Sequence, residues 1–266
     1  MMYLCLSRCK MEIFKIIFFS FIRQTKEFIR YPNYIIKSFF YTPITYVLPL
    51  YYFLINVNNE FNDNLVFNTI LCMVFWQYIS FSLIETSNIA KRDLNIGIIE
   101  VLFTLPVKYI SWILGNVLVP NTLFAISNTI LILIGFVVFK FNVTLNLFKL
   151  LFVVFAIFFE TLSFSVLIYL LSIMFKKILN IVLIIIEFIF LIAGVIYPIN
   201  TLPIVLRRLS LFAPFSYIFE ILRGTSLNDK FILINGSINI LYFILVIIFY
   251  KKILKEMKKN GNLSTY

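Results

Sequence analysis

The chain contains no histidine and only three cysteines. Histidine is the commonest general base, a frequent metal ligand and the side chain that titrates nearest neutral pH, so its absence argues against an enzyme. Cys5, Cys9 and Cys72 form no Cys-x-x-Cys pair and lie near no second type of ligand. We interpret them as free thiols, and we expect neither a catalytic centre nor a metal site on this chain.

Glycine is also scarce, with 7 residues, and no phosphate-binding loop of the form Gly-x-x-x-x-Gly-Lys-Ser/Thr occurs. Any process driven by ATP must therefore draw on a separate subunit. Charged residues make up 13% of the chain and hydrophobic residues 62%, whereas soluble domains are about one quarter charged and about half apolar. The composition predicts an all-α membrane protein with no separate soluble domain.

Long uncharged runs predict six transmembrane helices, because about 20 apolar residues cross the hydrocarbon core of a bilayer. The predicted spans are 35–56, 65–86, 110–139, 149–175, 178–197 and 231–250. Before them, residues 11–30 mix apolar and charged side chains in a pattern typical of an amphipathic helix at the membrane interface, ended by Pro32. Residues 1–10 are expected to be an N-terminal extension, and residues 11–266 a single transmembrane domain.

The formal net charge of +11 does not by itself indicate nucleic acid binding. Basic residues beside membrane spans normally fix orientation or contact anionic lipid headgroups. Most of the lysines and arginines fall in segments that share one side of the membrane: 8–37, 91–108, 176–177 and 251–259. The bias predicts a multi-pass protein of the inner (cytoplasmic) cell membrane, in contact with lipids and with both termini in the cytoplasm.

Residues 88–108, between predicted spans two and three, form the most distinctive cytoplasmic segment. Four apolar residues recur there at i, i+3, i+4 and i+7, and so share one face of a short helix ended by Pro106: Ile98, Val101, Leu102 and Leu105. An apolar face outside the membrane needs a partner. It could rest on lipid headgroups, or it could dock into a groove on another protein.

This segment reads Lys91-Arg92, then Gly97-Ile98-Ile99-Glu100, Leu102 and Pro106. It resembles the cytoplasmic coupling region of the ABC-2 type permeases, the membrane subunits of ABC exporters, in which charged residues precede Gly-Thr-Leu-Glu, a Leu and a Pro. Ile98 stands in place of the family's Thr. The resemblance implies contact with a separate ATP-binding subunit, to which Arg92 and Pro106 belong as parts of the motif. Glu100 would meet a base there, Ile98, Leu102 and Leu105 would fill its groove, and Gly97 would allow close approach.

Residues 198–224 combine charges, prolines and apolar side chains, which favours shallow re-entry into the membrane over an ordinary extracellular loop. In the ABC-2 type permeases the stretch that this segment resembles forms re-entrant half-helices on the outer side, between spans five and six. Ala213 here replaces an Asn of the family. The residues matched to this motif are Pro198, Pro203, Pro214, Glu220, Arg223 and Gly224.

Glu160 and Glu187 fall in the middle of predicted spans four and five, where an ionised carboxylate is costly. We expect both to face the protein interior. Each could be a protonated acid hydrogen-bonded across helices, part of a translocation path, or a proton carrier.

The leading hypothesis is the permease subunit of an ATP-driven ABC exporter. The resemblance implies a dimer with a second permease copy or a paralogue, ATP and Mg bound by the partner subunit, and no cofactor on this chain. The coupling motif is more similar to drug and lipo-oligosaccharide exporters than to polysaccharide exporters, which suggests an amphipathic, lipid-like or drug-like substrate. The alternatives are a proton-coupled secondary transporter, a membrane-embedded lipid-modifying transferase, and a non-transporting immunity or assembly factor.

Overall fold

A computed structural model describes residues 2–33, 36, 40, 63–105, 108–139, 147–174, 178–224 and 229–260. The regular structure of these residues is helical, as the long apolar runs predict, because a helix satisfies its own backbone hydrogen bonds in lipid. The elements in chain order are α1 Met2–Arg30, α2 Asp63–Asn95, α3 Ile98–Thr104, α4 Tyr109–Phe139, α5 Leu147–Met174, α6 Ile178–Ile192, a 3-10 turn Ile199–Thr201, α7 Ile204–Ser210, α8 Ser216–Arg223 and α9 Asp229–Asn260.

Four segments within these helices are long and apolar enough to cross a bilayer: Phe67–Asn95, Tyr109–Ile134, Phe148–Met174 and Ile232–Lys252. Predicted spans two, three, four and six are thereby confirmed as apolar helices. The first predicted span, 35–56, lies outside the described residues except for Ile36 and Phe40. The total of six spans stays a prediction.

Several helices depart from their predicted bounds, and α9 continues past residue 250 to Asn260. α2 continues past residue 86 to Asn95, because its last turns are packed against neighbouring helices and Ile89, Ala90 and Asp93 are buried. α6 ends at Ile192, before the predicted end at residue 197, because Gly194 adopts a left-handed φ of 72° that stops the helix. Its apolar part, Asn180–Ile192, is shorter than a full span.

α2 lies at the centre of the fold and packs against α4, α5 and α6. Hydrogen bonds between polar side chains join these helices within the apolar core. Tyr78 of α2 donates to Asn121 of α4 at 3.2 Å, and Ser87 of α2 pairs with Ser172 of α5 at 2.9 Å. α9 packs on the other side of α5 and turns most of its apolar residues outward, as expected for a helix that faces lipid.

α1 packs along α4 with its polar side inward. Ser20, Gln24 and Phe28 are buried, whereas Phe14 and Phe18 are exposed. The helix continues without a break from Met2 through residue 10, the predicted end of the N-terminal extension. An outward-facing aromatic side is the arrangement that an interfacial amphipathic helix requires, and the position of this helix in the membrane stays a prediction.

Candidate functional site: the docking helix and its supports

The short helix α3, which we call the docking helix, is separated from α2 by a turn at Gly97. Gly97 adopts φ 75° and ψ 11°, a left-handed conformation that glycine enters without a Cβ penalty. Its N–H donates to the Leu94 carbonyl at 3.1 Å, and its carbonyl accepts from Glu100 at 3.1 Å and from Val101 at 3.3 Å. The same residue ends α2 and begins the docking helix. A Cβ here would meet no atom within 4 Å, so the backbone conformation is what requires glycine in this chain.

The apolar residues of the docking helix are divided between two environments. Ile99 and Leu102 are buried in the core, with 1% and 8% exposure. Val101 and Leu105 are 58% and 49% exposed, and Glu100 is also exposed. Leu102, which we expected to enter a partner's groove, instead packs into its own chain because α3 lies against α2.

Two further residues of the predicted coupling motif are Ile98 and Pro106. Ile98 is half-buried against the core. Pro106 lies outside the described residues. Leu105, just before it, is extended with φ −92° and ψ 148°, the conformation that a following proline favours. The helix therefore ends where the sequence predicts.

A buried carboxylate, Asp93, collects hydrogen bonds from three helices immediately before the docking helix. Its Oδ2 accepts from Tyr169 of α5 at 2.8 Å, and from Asn116 and Trp112 of α4 at 2.9 and 3.2 Å. Its Oδ1 faces Arg23 of α1 at 3.1 Å. We call these five residues the Asp93 cluster. A carboxylate accepts only, so four donors around a fully buried Asp93 satisfy it without water.

Arg23 has additional contacts inside the Asp93 cluster. Its guanidinium lies 4.6 Å from the centre of the Trp112 ring and donates to the Asn116 side-chain oxygen at 3.3 Å. A planar cation over an indole face is a favourable cation–π arrangement. Arg23 thus holds α1 against the start of α4, next to the end of α2.

Arg92, a member of the predicted coupling motif, contacts α1 of its own chain. Its guanidinium donates to Gln24 at 2.9 Å and forms an ion pair with Glu27. Arg92 and Asp93 therefore bind the same helix through adjacent positions of α2. The structure assigns Arg92 a supporting contact within the chain, and a contact with a partner stays a prediction.

α1 and α4 approach each other closely at Gly115. A Cβ on Gly115 would lie 1.6 Å from Ser20 Oγ and 2.5 Å from the Ile17 carbonyl oxygen. Neither distance is compatible with a side chain. Glycine at this position is what lets α1 pack close enough for Arg23 to reach Asp93.

The second predicted motif folds into short helices between α6 and α9, residues 193–224, which we call the short-helix segment. Pro198 precedes the 3-10 turn and Pro203 precedes α7, each at the N-cap position. Pro214 is buried just before α8, and Gly224 ends α8 by donating to the Glu220 carbonyl at 3.0 Å. Each of the three prolines thus comes just before a new element and none lies inside a helix, where its missing N–H would interrupt the hydrogen bonds.

Glu220 and Arg223 form hydrogen bonds within the short-helix segment. Glu220 Oε1 accepts from the Ile199 N–H at 2.6 Å. Arg223 donates to the carbonyls of Val195 at 2.5 Å and Tyr197 at 3.3 Å. Both charges satisfy backbone groups in the turns that follow α6, so the structure brings the predicted residues 198–224 together as one packed unit.

The two mid-span carboxylates have different environments. Glu160 faces the interior as predicted, with 1% exposure, and its Oε1 accepts from the Phe215 N–H at 2.9 Å. The prediction for Glu187 is wrong for the single chain, because this side chain is exposed. α6 turns Val182 and Ile186 inward, and Glu187 falls on the opposite side.

The Asp93 cluster is not predicted by the sequence analysis. Arg23 falls within the predicted amphipathic helix 11–30, Trp112 within the predicted span 110–139, and Asp93 within the cytoplasmic segment 88–108. An acid at the end of a long apolar helix is the one signal that could have indicated a buried acceptor. In the part of the chain that the structure describes, no three His, Cys, Asp or Glu side chains come together as metal ligands would.

The family model of ABC-2 type transporters matches residues 16–227, and this range includes α1 from Ile16, the docking helix and the short-helix segment. The chain belongs to the ABC-2 type transporter family. It is the membrane permease subunit of such a transporter, and it is a multi-pass membrane protein. The curated proteins compared with it include no match.

An ABC-2 permease is a membrane transport component that is not catalytic alone, and the family generally works with an ABC ATP-binding subunit. The matched range contains every described residue of the two motifs that carried the resemblance. The docking helix and the Asp93 cluster are therefore parts of the family's own domain. The last helix, α9, lies beyond the match.

Proposed function

We propose that this ABC-2 permease exports an amphipathic, lipid-like or drug-like substrate from the cytoplasm, driven by a separate ABC ATP-binding subunit that binds the docking helix. The observation that carries the proposal is the two-sided packing of this helix. Ile99 and Leu102 fix one side in the core, while Val101 and Leu105 remain exposed on the other. A short helix that packs on the core with one side and is exposed on the other can transmit a displacement caused by a partner to the helices of the core.

The exposed side of the docking helix has the chemistry of a small protein interface. Ile96, Val101 and Leu105 supply apolar area, and Glu100 supplies a charge for a base on the ATP-binding subunit. Lys108 follows nearby and is also exposed. Apolar anchors surrounded by charges favour a protein groove as the occupant over lipid headgroups.

The Asp93 cluster supports transmission from the docking helix into the spans. Asp93 lies in the last turn of α2, just before Gly97, and it contacts α1, α4 and α5 together. Movement of the docking helix acts first on these helices. A displacement that separates Asp93 from its donors would leave buried polar groups unpaired, so the helices are expected to move together.

The distribution of basic residues supports the following orientation of the permease in the membrane. The permease lies in the inner (cytoplasmic) membrane, with both termini and the docking helix in the cytoplasm. The short-helix segment lies on the outer side as a re-entrant element that controls substrate exit. Two permease copies, or this chain and a paralogue, enclose the substrate path. ATP and Mg bind to the partner subunits.

An apolar cavity of about 300 Å³ supports a substrate with an apolar portion. It lies between the end of α6 and the short helices that follow, and its walls include Phe190, Val195, Leu202 and Leu206. The exposed bases Arg207 and Arg208 follow Leu206 on α7. Apolar walls beside surface charges suit an amphipathic molecule better than a polysaccharide.

The test is co-purification of the permease with a candidate ATP-binding subunit, followed by ATPase and transport measurements in proteoliposomes. The variant Val101→Asp places a charge on the exposed side of the docking helix without changing the core. We expect it to reduce capture of the ATP-binding subunit at least tenfold and to abolish stimulated ATP hydrolysis. Val205→Asp is the matched control, because Val205 is also exposed but lies on α7.

Capture equal to that of the original chain in Val101→Asp would show that the docking helix is not the binding surface. Transport by the purified permease alone, driven by a proton gradient without ATP, would favour the secondary-transporter alternative. Screening drug-like and lipid-like compounds for stimulated ATP turnover then tests the substrate class. Stimulation by a polysaccharide alone would contradict that part of the proposal.

A further inference from the structure

Two charged side chains of α5 bind opposite ends of the same short helix, α8. At its start, Glu160 Oε1 accepts the Phe215 N–H at 2.9 Å. At its end, the Lys149 ammonium donates to the carbonyls of Leu222, at 2.8 Å, and Gly224. Neither interaction depends on the docking helix.

The signs of the two charges match the dipole of α8. The first N–H groups of a helix carry partial positive charge and the last carbonyls partial negative charge, and both sets lack partners within the helix. A carboxylate at the first end and an ammonium at the second satisfy them. Positions 149 and 160 lie about 16 Å apart along α5, close to the about 14 Å between residues 215 and 224 along the short helix.

The residue that Glu160 holds is strained. Phe215 is the described non-glycine residue with positive φ, 68°, and it is 1% exposed. Its ring packs edge-on against Phe164 of α5, with the ring centres 6.2 Å apart. Its carbonyl accepts from Ile218 and Phe219 and begins α8, but its N–H points back to α5. Without Glu160, this buried N–H has no acceptor in α8 itself.

We infer that Glu160 and Lys149 form a charge bracket that holds α8 by both ends, so that the short-helix segment moves together with α5. α5 also donates the Tyr169 hydroxyl to Asp93, about 14 Å further along the helix from Glu160. α5 therefore connects the Asp93 cluster with the short-helix segment. The role of this connection in substrate release rests on the proposed function, whereas the bracket is a property of the permease alone.

The charge bracket gives Glu160 a positioning role that differs from proton carriage. The hydrogen bond needs an oxygen that accepts the Phe215 N–H, and a negative charge adds only the weaker attraction to the helix dipole. The second oxygen, Oε2, is buried and forms no hydrogen bond among the described residues. A glutamine at this position keeps an acceptor oxygen, whereas a proton carrier cannot be replaced by glutamine.

Hydrogen–deuterium exchange of the purified permease in lipid nanodiscs tests the bracket directly. Glu160→Leu removes the acceptor at similar volume, and we expect exchange in residues 211–224 to rise at least tenfold. Glu160→Gln is expected to stay within about twofold of the original chain. Lys149→Met is expected to raise exchange mainly at residues 222–224 and Lys149→Arg to restore protection, so this pair provides the test if Glu160→Leu does not fold.

Glu187→Leu is the matched control for exchange, because it removes an exposed carboxylate from a neighbouring helix. Exchange that is unchanged in both Glu160→Leu and Lys149→Met would overturn the bracket. Equal exchange of residues 211–224 in Glu160→Gln and Glu160→Leu would also overturn the bracket. These measurements use the permease alone, so they are independent of whether an ATP-binding subunit docks on α3.

Transport by the reconstituted permease with its ATP-binding subunit tests the consequence. Glu160→Leu is expected to lower the transport rate at least tenfold while ATP-binding subunit capture is retained, and Glu160→Gln to keep at least half of the rate. If Glu160→Gln preserves the protection of residues 211–224 but abolishes transport, the assignment is overturned and Glu160 carries a proton.

Discussion

The hydroxyl of Tyr169 donates a 2.8 Å hydrogen bond to Asp93, and both side chains are fully buried. The bond joins α5 to the last turn of α2, immediately before the left-handed turn at Gly97. The docking helix thus begins next to a polar contact between two central helices. Because the contact is buried, breaking it without a new partner is costly, and the two helices are coupled at this point.

Removing the central acceptor of the Asp93 cluster is expected to destabilise the permease. Asp93→Ala deprives Tyr169, Trp112 and Asn116 of their acceptor and leaves Arg23 without its counter-ion. We expect a loss of on the order of 2–3 kcal/mol in the free energy of unfolding, measured by denaturation in mixed micelles.

Glu100→Ala is the control for this variant, because Glu100 is an exposed carboxylate on the docking helix. Its effect on the free energy of unfolding should stay within about 0.5 kcal/mol. Equal losses in the two variants would mean that the Asp93 contacts contribute nothing beyond a surface charge.

Gly115→Ala is expected to displace α1 from α4. The added Cβ would overlap Ser20 Oγ and the Ile17 carbonyl, and the second is backbone that cannot rotate away. Overpacking of this kind costs about 1–3 kcal/mol. The measurement is the free energy of unfolding, together with protease cleavage within residues 13–30, which should become faster.

Gly236→Ala provides the control on α9, where a Cβ meets no atom within 4 Å. Alanine favours a helix by about 1 kcal/mol over glycine, so this variant should be neutral or slightly more stable. If both alanine variants behaved alike, close packing at Gly115 would not be needed.

Gly97→Ala should weaken the turn between α2 and the docking helix. No atom opposes a Cβ there, so the cost comes only from the left-handed backbone and is about 1 kcal/mol. Gly97→Asn is expected to cost less, because asparagine enters this conformation more readily. The measurement is the free energy of unfolding of each variant. A larger loss of this free energy with asparagine than with alanine would contradict the backbone explanation.

The two sides of the docking helix should respond differently to truncation. Leu102→Ala removes buried atoms from the core and is expected to cost about 2–4 kcal/mol in the free energy of unfolding. Val101→Ala removes exposed atoms and should stay within about 0.5 kcal/mol. Equal destabilisation by the two variants would mean that α3 does not lie as the structure shows.

The long helices were predictable because their signal is a continuous property of the chain. A run of about 20 apolar residues is enough to favour a helix in lipid whatever its neighbours are, and the α4 prediction of 110–139 agrees with Tyr109–Phe139. The docking helix was also predictable, because glycine and proline mark the ends of a short apolar period. Both inferences use only neighbours in the sequence.

The choice between Leu102 and Val101 was not predictable, because both lie within the apolar face that the period describes. Which of them is buried depends on how α3 is oriented against α2. A local sequence pattern does not predict this orientation. Glu187 shows the same difficulty. Its position within an apolar run indicates a cost in lipid but not which side of α6 faces the protein.

The sequence by itself determined that this is a helical membrane protein, that it contains the two ABC-2 motifs, and that it has no P-loop with which to hydrolyse ATP. Only the tertiary structure decided that Asp93 joins α1, α4 and α5, and that Lys149 and Glu160 of α5 hold α8 by its two ends. Those contacts join residues far apart in the chain, and their energy depends on distance, burial and direction. Composition and periodicity do not predict the distance, burial or direction of a contact between residues that are far apart in the chain.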